Sequence, residues 1–493
     1  AQATHKTSPQ CMAAPTRHCR LAMPLLPCGG RSGCGRDHCC GGCFAGREEP
    51  LRAATVGCVA FAGLVGILLG YDMGIVSAAL GPMQKFFDIS DDQVELFVGF
   101  LSLFALPGCM VGSLLADAIG RRAGIAVSAA LFLLGNVLMA GATSFAALMT
   151  GRAIAGFAMG LTYILAPLYV AEVSPAKLRG LLTSMLEVLT NVGILLGYMS
   201  GWACDRLAPA SSSSSWRTML GLGALPPAAI LLGALLVMLE SPRWLASRGR
   251  IEEAEAALAR LVAPAEAQQV GAELRLAAKS AESTHATFLE VLASPGILRI
   301  ILVGFAVAFF SQATGCEAVI YYSGSILSQA GVGRDDMLRA TVFLGCMKTA
   351  AVLLGGALVD GWGRRPLLLV SSAGLSLSMG LLAAAGRLGW PPTVEVAALG
   401  AFVVAFSVGF GPIVYVLNAE IYPQRCRSFG LGLAMGTCRV MSAVVSSTFL
   451  SLSRWLTTAG ALGMYSGIAA IAFVFVFVAV PETRGTTLEA AGT

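Results

Sequence analysis

The sequence is poor in charge. Of its 493 residues only 12% are Asp, Glu, Lys or Arg, about half the roughly 25% of an average soluble domain. With 56% hydrophobic residues and a mean hydropathy of +0.75, the chain has too little polar surface to cover a water-soluble globule. It is also too apolar to stay unfolded. The 33 Lys+Arg against 28 Asp+Glu leave a net charge of +5, which builds no basic field for nucleic acid. Histidine is scarcer still, with only His5, His18, His38 and His285. Neither a catalytic nucleophile motif, nor a metal-ligand cluster, nor a phosphate loop occurs, so no enzyme chemistry, cofactor or metal is expected.

Cysteine is not scarce but is oddly placed. Seven of fourteen (Cys11, Cys19, Cys28, Cys34, Cys39, Cys40 and Cys43) lie in the first fifty residues, among glycines, prolines and arginines. No run there is apolar enough for a signal peptide. Zinc held by His38 with Cys34, Cys39 and Cys40, or acylation of Cys39 and Cys40, is conceivable chemistry. The spacing fits no paired zinc pattern, however, and a disordered leader over 1–50 is the expectation. The remaining cysteines are scattered in or beside apolar runs and imply no disulfide framework.

What the chain has is long apolar runs. Twelve of them, the first over 56–80 and the last over 459–480, are about 20 residues long and can cross a ~30 Å hydrocarbon core as helices. They do not alternate polar with apolar, which excludes barrel strands. Basic residues gather in every second loop, with Arg121 and Arg122, Lys177 and Arg179, Arg364 and Arg365, and Arg425 and Arg427. That bias places those loops, both termini and the 240–296 segment in the cytoplasm. The expected organisation is an all-α membrane protein: a leader over 1–50, a six-helix half over 51–239, amphipathic linker helices over 240–296, a second half over 297–481 and a short tail over 482–493.

Three signatures recur about 245 residues apart. Gly112-Ser-Leu-Leu-Ala-Asp117-Ala-Ile-Gly120-Arg121-Arg122 answers to Gly355-Gly-Ala-Leu-Val-Asp360-Gly-Trp-Gly363-Arg364-Arg365. Ala171-Glu172-Val-Ser-Pro175 with Arg179 answers to Ala419-Glu420-Ile-Tyr-Pro423 with Arg427, and Glu240-Ser-Pro-Arg243 answers loosely to Glu482-Thr-Arg484. Two like-oriented halves with substrate held between them is a secondary-transporter architecture. The paired acids and bases read as a cytoplasmic salt-bridge lock that holds the outward-facing state closed and parts when the halves rock. The simpler alternative, arginines that only set topology, leaves the matched acids unexplained.

Ionisable residues inside the runs are few: Asp72, Arg152, Glu187, Glu317, Lys348 and Arg439. Such residues are costly in lipid and mark function. Asp72 lies sixteen residues after Val56, about 24 Å along its helix. Arg152, near the start of a descending helix, reaches the same outer depth, so the two can pair. A carboxylate released from its arginine on protonation is a proton-coupling switch, and because no histidine lies in a span only a carboxylate can carry that proton. A structural ion pair is the alternative.

Over 52–488 the chain resembles the sugar porter family of the major facilitator superfamily, and is most similar to its plant polyol/monosaccharide branch. The resemblance rests on Gly70-Tyr-Asp72-Met-Gly74, Gly151-Arg152, Pro167-Leu-Tyr169-Val-Ala-Glu172, Glu240-Ser-Pro-Arg243-Trp244, Gly363-Arg364-Arg365-Pro366, Gly409-Phe-Gly411-Pro412 and Pro481-Glu482-Thr-Arg484. Glu187, where most sugar porters carry glutamine, and Lys348 fit the polyol branch. The resemblance implies proton-coupled symport of a polyol or monosaccharide by alternating access, with Asp72 as proton acceptor and Arg152 as its partner. It implies substrate binding by Glu187, Gln312, Glu317, Tyr321, Tyr322, Tyr415 and the Cys438 neighbourhood, with Gly315, Gly411 and Pro412 interrupting their helices. The chain departs from the family pattern at Ser311, Glu317, Tyr415 and Cys438. A uniporter, or a sensor that no longer transports, are the competing expectations. A monomer in the plasma membrane, surrounded by lipid, is the expected setting.

Overall fold

The computed structural model describes residues 52–175, 178–207, 215–279, 295–422 and 427–482. The expected leader over 1–50, with its cysteines and His38, lies outside the described residues. All of the described chain belongs to one compact unit, Pro50–Thr493.

Five helices open the chain: α1 (Ala53–Phe87), α2 (Asp91–Ile119), α3 (Arg121–Ala140), α4 (Phe145–Val173) and α5 (Arg179–Leu207). A sixth span is broken into α6 (Ser215–Leu222) and α7 (Leu225–Leu236). Pro226 and Pro227 supply the break: neither has an N–H to continue the ladder, and both are tolerated in the first turn of α7. Short helices α8 (Pro242–Ser247), α9 (Ile251–Leu261) and α10 (Pro264–Lys279) follow. They match the linker helices expected in 240–296, of which 280–294 lies outside the described residues.

The second half repeats the first. Its first span is α11 (Pro295–Ala313) and α12 (Cys316–Gln329), separated at Gly315, whose φ of 89° ends one helix and starts the next. Then come α13 (Arg334–Trp362), α14 (Arg364–Leu388), α15 (Pro392–Val408) and α16 (Phe410–Ile421). The expected break at Gly411 and Pro412 falls instead at Gly409, between α15 and α16. Pro412 then sits in the first turn of α16, where its missing N–H costs no helical bond. The last element, α17 (Arg427–Ala479), has 53 residues and leaves helical geometry at Thr457. At about 1.5 Å per residue it is far too long for one ~30 Å crossing, so it forms two spans. Thr457 Oγ1 accepts from the Gly460 N–H at 3.2 Å and caps the second of them. The architecture is therefore twelve crossings in two related sets of six.

The halves have close-packed interiors and apolar outer walls. Where α1 crosses α5 the backbones nearly touch: a Cβ on Gly70 would lie 1.8 Å from the Thr190 carbonyl oxygen, and one on Gly193 would lie 2.4 Å from that of Ile67. Met110, Leu114, Leu377, Val474 and Val478 point outward and exposed, as a surface solvated by lipid tails requires. One end of the bundle, the basic end, carries the Gly-Arg-Arg turns and α8–α10. Trp244 Nε1 of α8 donates to the Asp117 carbonyl at 2.9 Å, and Thr55 and Arg52 at the start of α1 donate to the carbonyls of Leu261 and Ala259.

Polar contacts between the halves run from the middle of the bundle to the opposite end. There Arg206 pairs with Asp335 at 3.0 Å and Arg334 with Asp205 at 2.6 Å, crosswise between α5 and α13. Arg454 of α17 pairs with Asp92 of α2, and Glu95 accepts from the N–H and hydroxyl of Ser451 at 2.7 and 2.5 Å. Deeper in, Ser102 bonds Ser442 at 2.9 Å and Tyr198 donates to the Ile320 carbonyl at 3.1 Å. Among the described residues, these ion pairs and hydrogen bonds join the halves at the end opposite the basic one.

Candidate functional site

Asp72 and Arg152 meet as the sequence predicts. Asp72 Oδ2 lies 2.8 Å from Arg152 Nη1, with side chains 5% and 0% exposed. The arginine is held on three sides: Nε donates to the Phe97 carbonyl at 3.2 Å and the guanidinium stands 4.7 Å over the Phe97 ring. Nη2 is buried without a partner. A lysine could reproduce the charge but neither the second bond nor the planar stacking.

The predicted substrate residues line the middle of the molecule, but not all in the same way. Gln312 closes α11 and Glu317 opens α12, on either side of the Gly315 break; Gln312 Oε1 and Glu317 Oε2 are both buried and unpartnered. The Tyr321 hydroxyl, one turn further on, is also buried and unpartnered. Tyr322 points elsewhere: its hydroxyl donates to the Ser446 carbonyl at 2.7 Å and its ring stacks on Phe449, with centroids 5.2 Å apart. It supports α12 against α17 and offers no free polar atom. Tyr415, on α16, keeps 39% of its surface exposed.

Two departures from the family pattern turn out to be neighbours. Ser311 Oγ and Cys438 Sγ are 3.8 Å apart, and each also donates to the Ala308 carbonyl, at 2.8 and 3.6 Å. Their meeting is invisible in the sequence because the positions are far apart in the chain.

Two further features of the site are not predicted by the sequence. Asn191 joins Glu187 to Lys348: Lys348 Nζ donates to Asn191 Oδ1 at 2.7 Å, and Asn191 Nδ2 donates to Glu187 Oε1 at 3.2 Å. Tyr163 receives Arg439 Nη1 at 3.0 Å, with the guanidinium 4.5 Å from its ring. Both links run between the halves. Asn191 follows Glu187 by one helical turn, a spacing visible in the sequence; nothing there marks Tyr163.

The basic end holds the repeated charge clusters, whose contacts are of two kinds. Arg121 bridges Glu172 at 3.0 Å and Asp117 at 3.3 Å, while Arg364 bridges Glu420 at 2.9 Å. Glu240 and Glu482 make different contacts. Glu240 accepts from the backbone N–H groups of Arg121 and Arg122 at 2.9 and 3.2 Å, and Glu482 from those of Arg364 and Arg365, both at 3.1 Å. Each acid caps the positive N-terminus of a helix, α3 or α14. Gly120 (φ 94°) and Gly363 (φ 97°) make room, since a Cβ would lie 2.6 and 2.7 Å from the capping carboxylates. The second arginines bond carbonyls: Arg122 donates to those of Ala234 and Leu235 at 2.6 and 2.7 Å, and Arg365 to that of Phe477 at 2.5 Å. Arg179 and Arg243 line a small cavity with Glu172 and Ser174. Arg484 and the side chains of Asp360 and Arg427 lie outside the described residues. All of these hydrogen bonds and ion pairs stay within one half. Among the described residues, the ion pairs that join the halves are at the opposite end.

A family model described as sugar (and other) transporter matches residues 58–493. The chain is similar to polyol transporter 5 of Arabidopsis thaliana, 37% identical over 458 residues that cover 88% of this chain and 84% of that protein. It is also similar to the chloroplastic D-xylose-proton symporter-like 3 of the same plant, 35% identical over 460 residues, covering 87% and 80%. Among solved structures, an inward open form of the xylose transporter XylE from E. coli superposes with a TM-score of 0.77 at 26% identity, covering 88% of this chain and 98% of that one. XylE as a proton:xylose symporter bound to 6-bromo-6-deoxy-D-glucose gives 0.73 at 28% identity, covering 89% and 98%. With its twelve crossings, its repeated helix caps and this match over nearly the whole of the bundle, the chain belongs to the sugar transporter family of the major facilitator fold, a family of multi-pass membrane transporters and not of enzymes.

Proposed function

We propose that this chain carries a polyol or monosaccharide together with a proton by alternating access. The observation that supports it most directly is the buried Asp72–Arg152 pair beside a central space walled by unpartnered amide, carboxylate and phenol groups. A polyhydroxylated solute offers the donors and acceptors those groups lack. Protonation of Asp72 frees Arg152 and lets the opposite end part; deprotonation resets it. The relatives that are polyol transporters and proton symporters point the same way.

In this reading the basic end faces the cytoplasm, with both termini, in the plasma membrane, and the conformation is inward-facing. The domain boundaries follow the repeat: a leader over 1–50, halves over 51–239 and 297–481, a linker over 240–296 and a tail over 482–493. Glu187, Gln312, Glu317, Tyr321, Tyr415 and the Ser311–Cys438 patch contact solute. A single chain encloses the whole path, so the working unit is a monomer in lipid. The charge clusters of the basic end brace each half as a rigid body while the halves rock.

The test is uptake of labelled polyols, hexoses and pentoses into proteoliposomes with and without an inward proton gradient. Accumulation above equilibrium only with the gradient, lost in Asp72→Asn, is the expected result. Equal uptake with and without the gradient overturns symport in favour of a uniporter, and no uptake of any solute favours a sensor.

A further inference from the structure

In the proposed function Asp72 couples the proton, while a second buried carboxylate, on α12, contacts solute only. Glu317 is 4% exposed, and among the described residues Oε2 has no hydrogen-bond partner. It is not alone. The Tyr321 hydroxyl, on a residue 1% exposed, and Arg152 Nη2, on a residue with no exposure, are likewise buried and unpartnered. An orphaned buried donor or acceptor costs about 1–3 kcal/mol, so several in one region require an explanation, and a path for water or a mobile proton is one.

These atoms form a series. Glu317 and Tyr321 are four residues apart on α12, hence on one face. Ser323 of α12 bonds Ser77 of α1 at 3.3 Å, five residues beyond Asp72 on one helix and two beyond Tyr321 on the other, so Glu317 and Tyr321 run alongside the stretch of α1 that carries Asp72. Glu317 lies in the first turn of α12, beside the partial positive charge of the helix N-terminus. The other ionisable groups around the central space are Tyr163 of α4, Glu187 of α5, Lys348 of α13, Tyr415 of α16 and Arg439 of α17. Two cations and two carboxylates balance there, and neither cation forms an ion pair with Glu317. Among the described residues Glu317 Oε2 has no hydrogen-bond partner, which leaves that oxygen open to accept a proton.

We infer that Glu317 is a second proton-carrying residue, which receives the proton from Asp72 through the Tyr321 hydroxyl and passes it on toward the basic end. The transfer is a hop: the phenol oxygen takes the proton released by the Asp72 carboxyl, directly or through water, as its own proton goes to Glu317 Oε2. The phenol ends neutral and Asp72 is again free to bind Arg152. This inference rests on the symport reading and adds the exit route to it.

Two measurements on the full-length chain test it. In proteoliposomes, proton-gradient-driven uptake of labelled sorbitol or xylose is divided by counterflow of the same solute, so that any loss of solute affinity cancels. Glu317→Gln and Tyr321→Phe are expected to lower this quotient by roughly 100-fold, the scale of a positioned proton-transfer group, with Glu317→Asp restoring part of it. Wild-type coupling with an unchanged quotient in Glu317→Gln overturns the relay and leaves symport intact. The absence of coupling in wild type instead removes the symport reading. Infrared titration of the purified protein, which needs no transport, then decides about Glu317 alone. A protonated-carboxyl C=O band that appears on acidification and is missing in Glu317→Gln supports the proton site; identical spectra overturn it.

Discussion

A carboxylate and a guanidinium 2.8 Å apart and almost fully buried compensate each other, and removing one leaves the other without its partner. Breaking such a pair costs about 3–5 kcal/mol, so Asp72→Ala is expected to lower the thermal unfolding midpoint markedly, while the Asp72→Ala/Arg152→Leu double variant recovers part of the loss. Additive losses in that cycle would show that the two are not coupled. Arg152→Lys should remain impaired in gradient-driven uptake, because the bond to the Phe97 carbonyl and the stacking on its ring need the planar fork. The Ser311–Cys438 patch makes a second residue-scale prediction. Introducing amides with Ser311→Gln and Cys438→Asn together should shift relative uptake among polyols and hexoses more than either substitution alone, since the two side chains touch and neighbours do not act additively. Equal additive shifts would mean that they act as separate sites.

At the scale of elements, the two capped helix starts are the sharpest case. Glu240 and Glu482 sit on the backbone N–H groups that open α3 and α14, and each requires a glycine at positive φ beneath it. Gly363→Ala both strains the backbone, by about 1–3 kcal/mol, and drives a methyl group into the Glu482 carboxylate. Reduced stability and uptake are expected, and Gly120→Ala should behave alike if the repeat is mechanical. In the linker, Arg250 bonds Glu253 at 2.6 Å and Arg275 bonds Glu255 at 2.5 Å. Those hydrogen bonds hold both carboxyls below their usual range. A depressed carboxylate contributes above its unfolded pKa and loses that contribution as pH falls through the folded one. Hydrogen-exchange protection of α9 and α10 should therefore stay level from neutral pH down to the ordinary carboxylate range and fall only below it.

For the whole molecule, the decisive feature is which end joins the halves. Asp205 and Arg206 of α5 face Arg334 and Asp335 of α13 crosswise, and Arg454 adds a link to Asp92. These side chains are partly exposed, so each pair contributes only about 0.2–1 kcal/mol and is screened by salt. A small sum is suitable for a gate that has to open in every cycle. Asp205→Arg should increase labelling of a cysteine placed at Ser77, which bonds Ser323 across the halves. Adding Arg334→Asp should return labelling to the starting level. No rescue by the swap would show that the pairs do not govern closure.

Much of the molecule is legible in its sequence. Membrane class, twelve crossings, the repeat and the Asp72–Arg152 meeting follow from run length, residue chemistry and rise per residue, which are local or one-dimensional quantities. Partner choice is not legible. That Glu240 and Glu482 cap backbone N–H groups depends on how the α7 and α17 ends approach the Gly-Arg-Arg turns. That Tyr322 braces Ser446 while Tyr321 stays unpartnered depends on the rotation of α12 after the Gly315 break, because adjacent residues on a helix point about 100° apart. Tyr163 and Asn191 enter the site, and Ser311 finds Cys438, only because distant helices cross there. Composition and periodicity determined that few charges would be buried and at what depth; tertiary packing alone decided which atom each one meets, since a hydrogen bond is set within a few tenths of an ångström and a direction, and neither is encoded in sequence spacing.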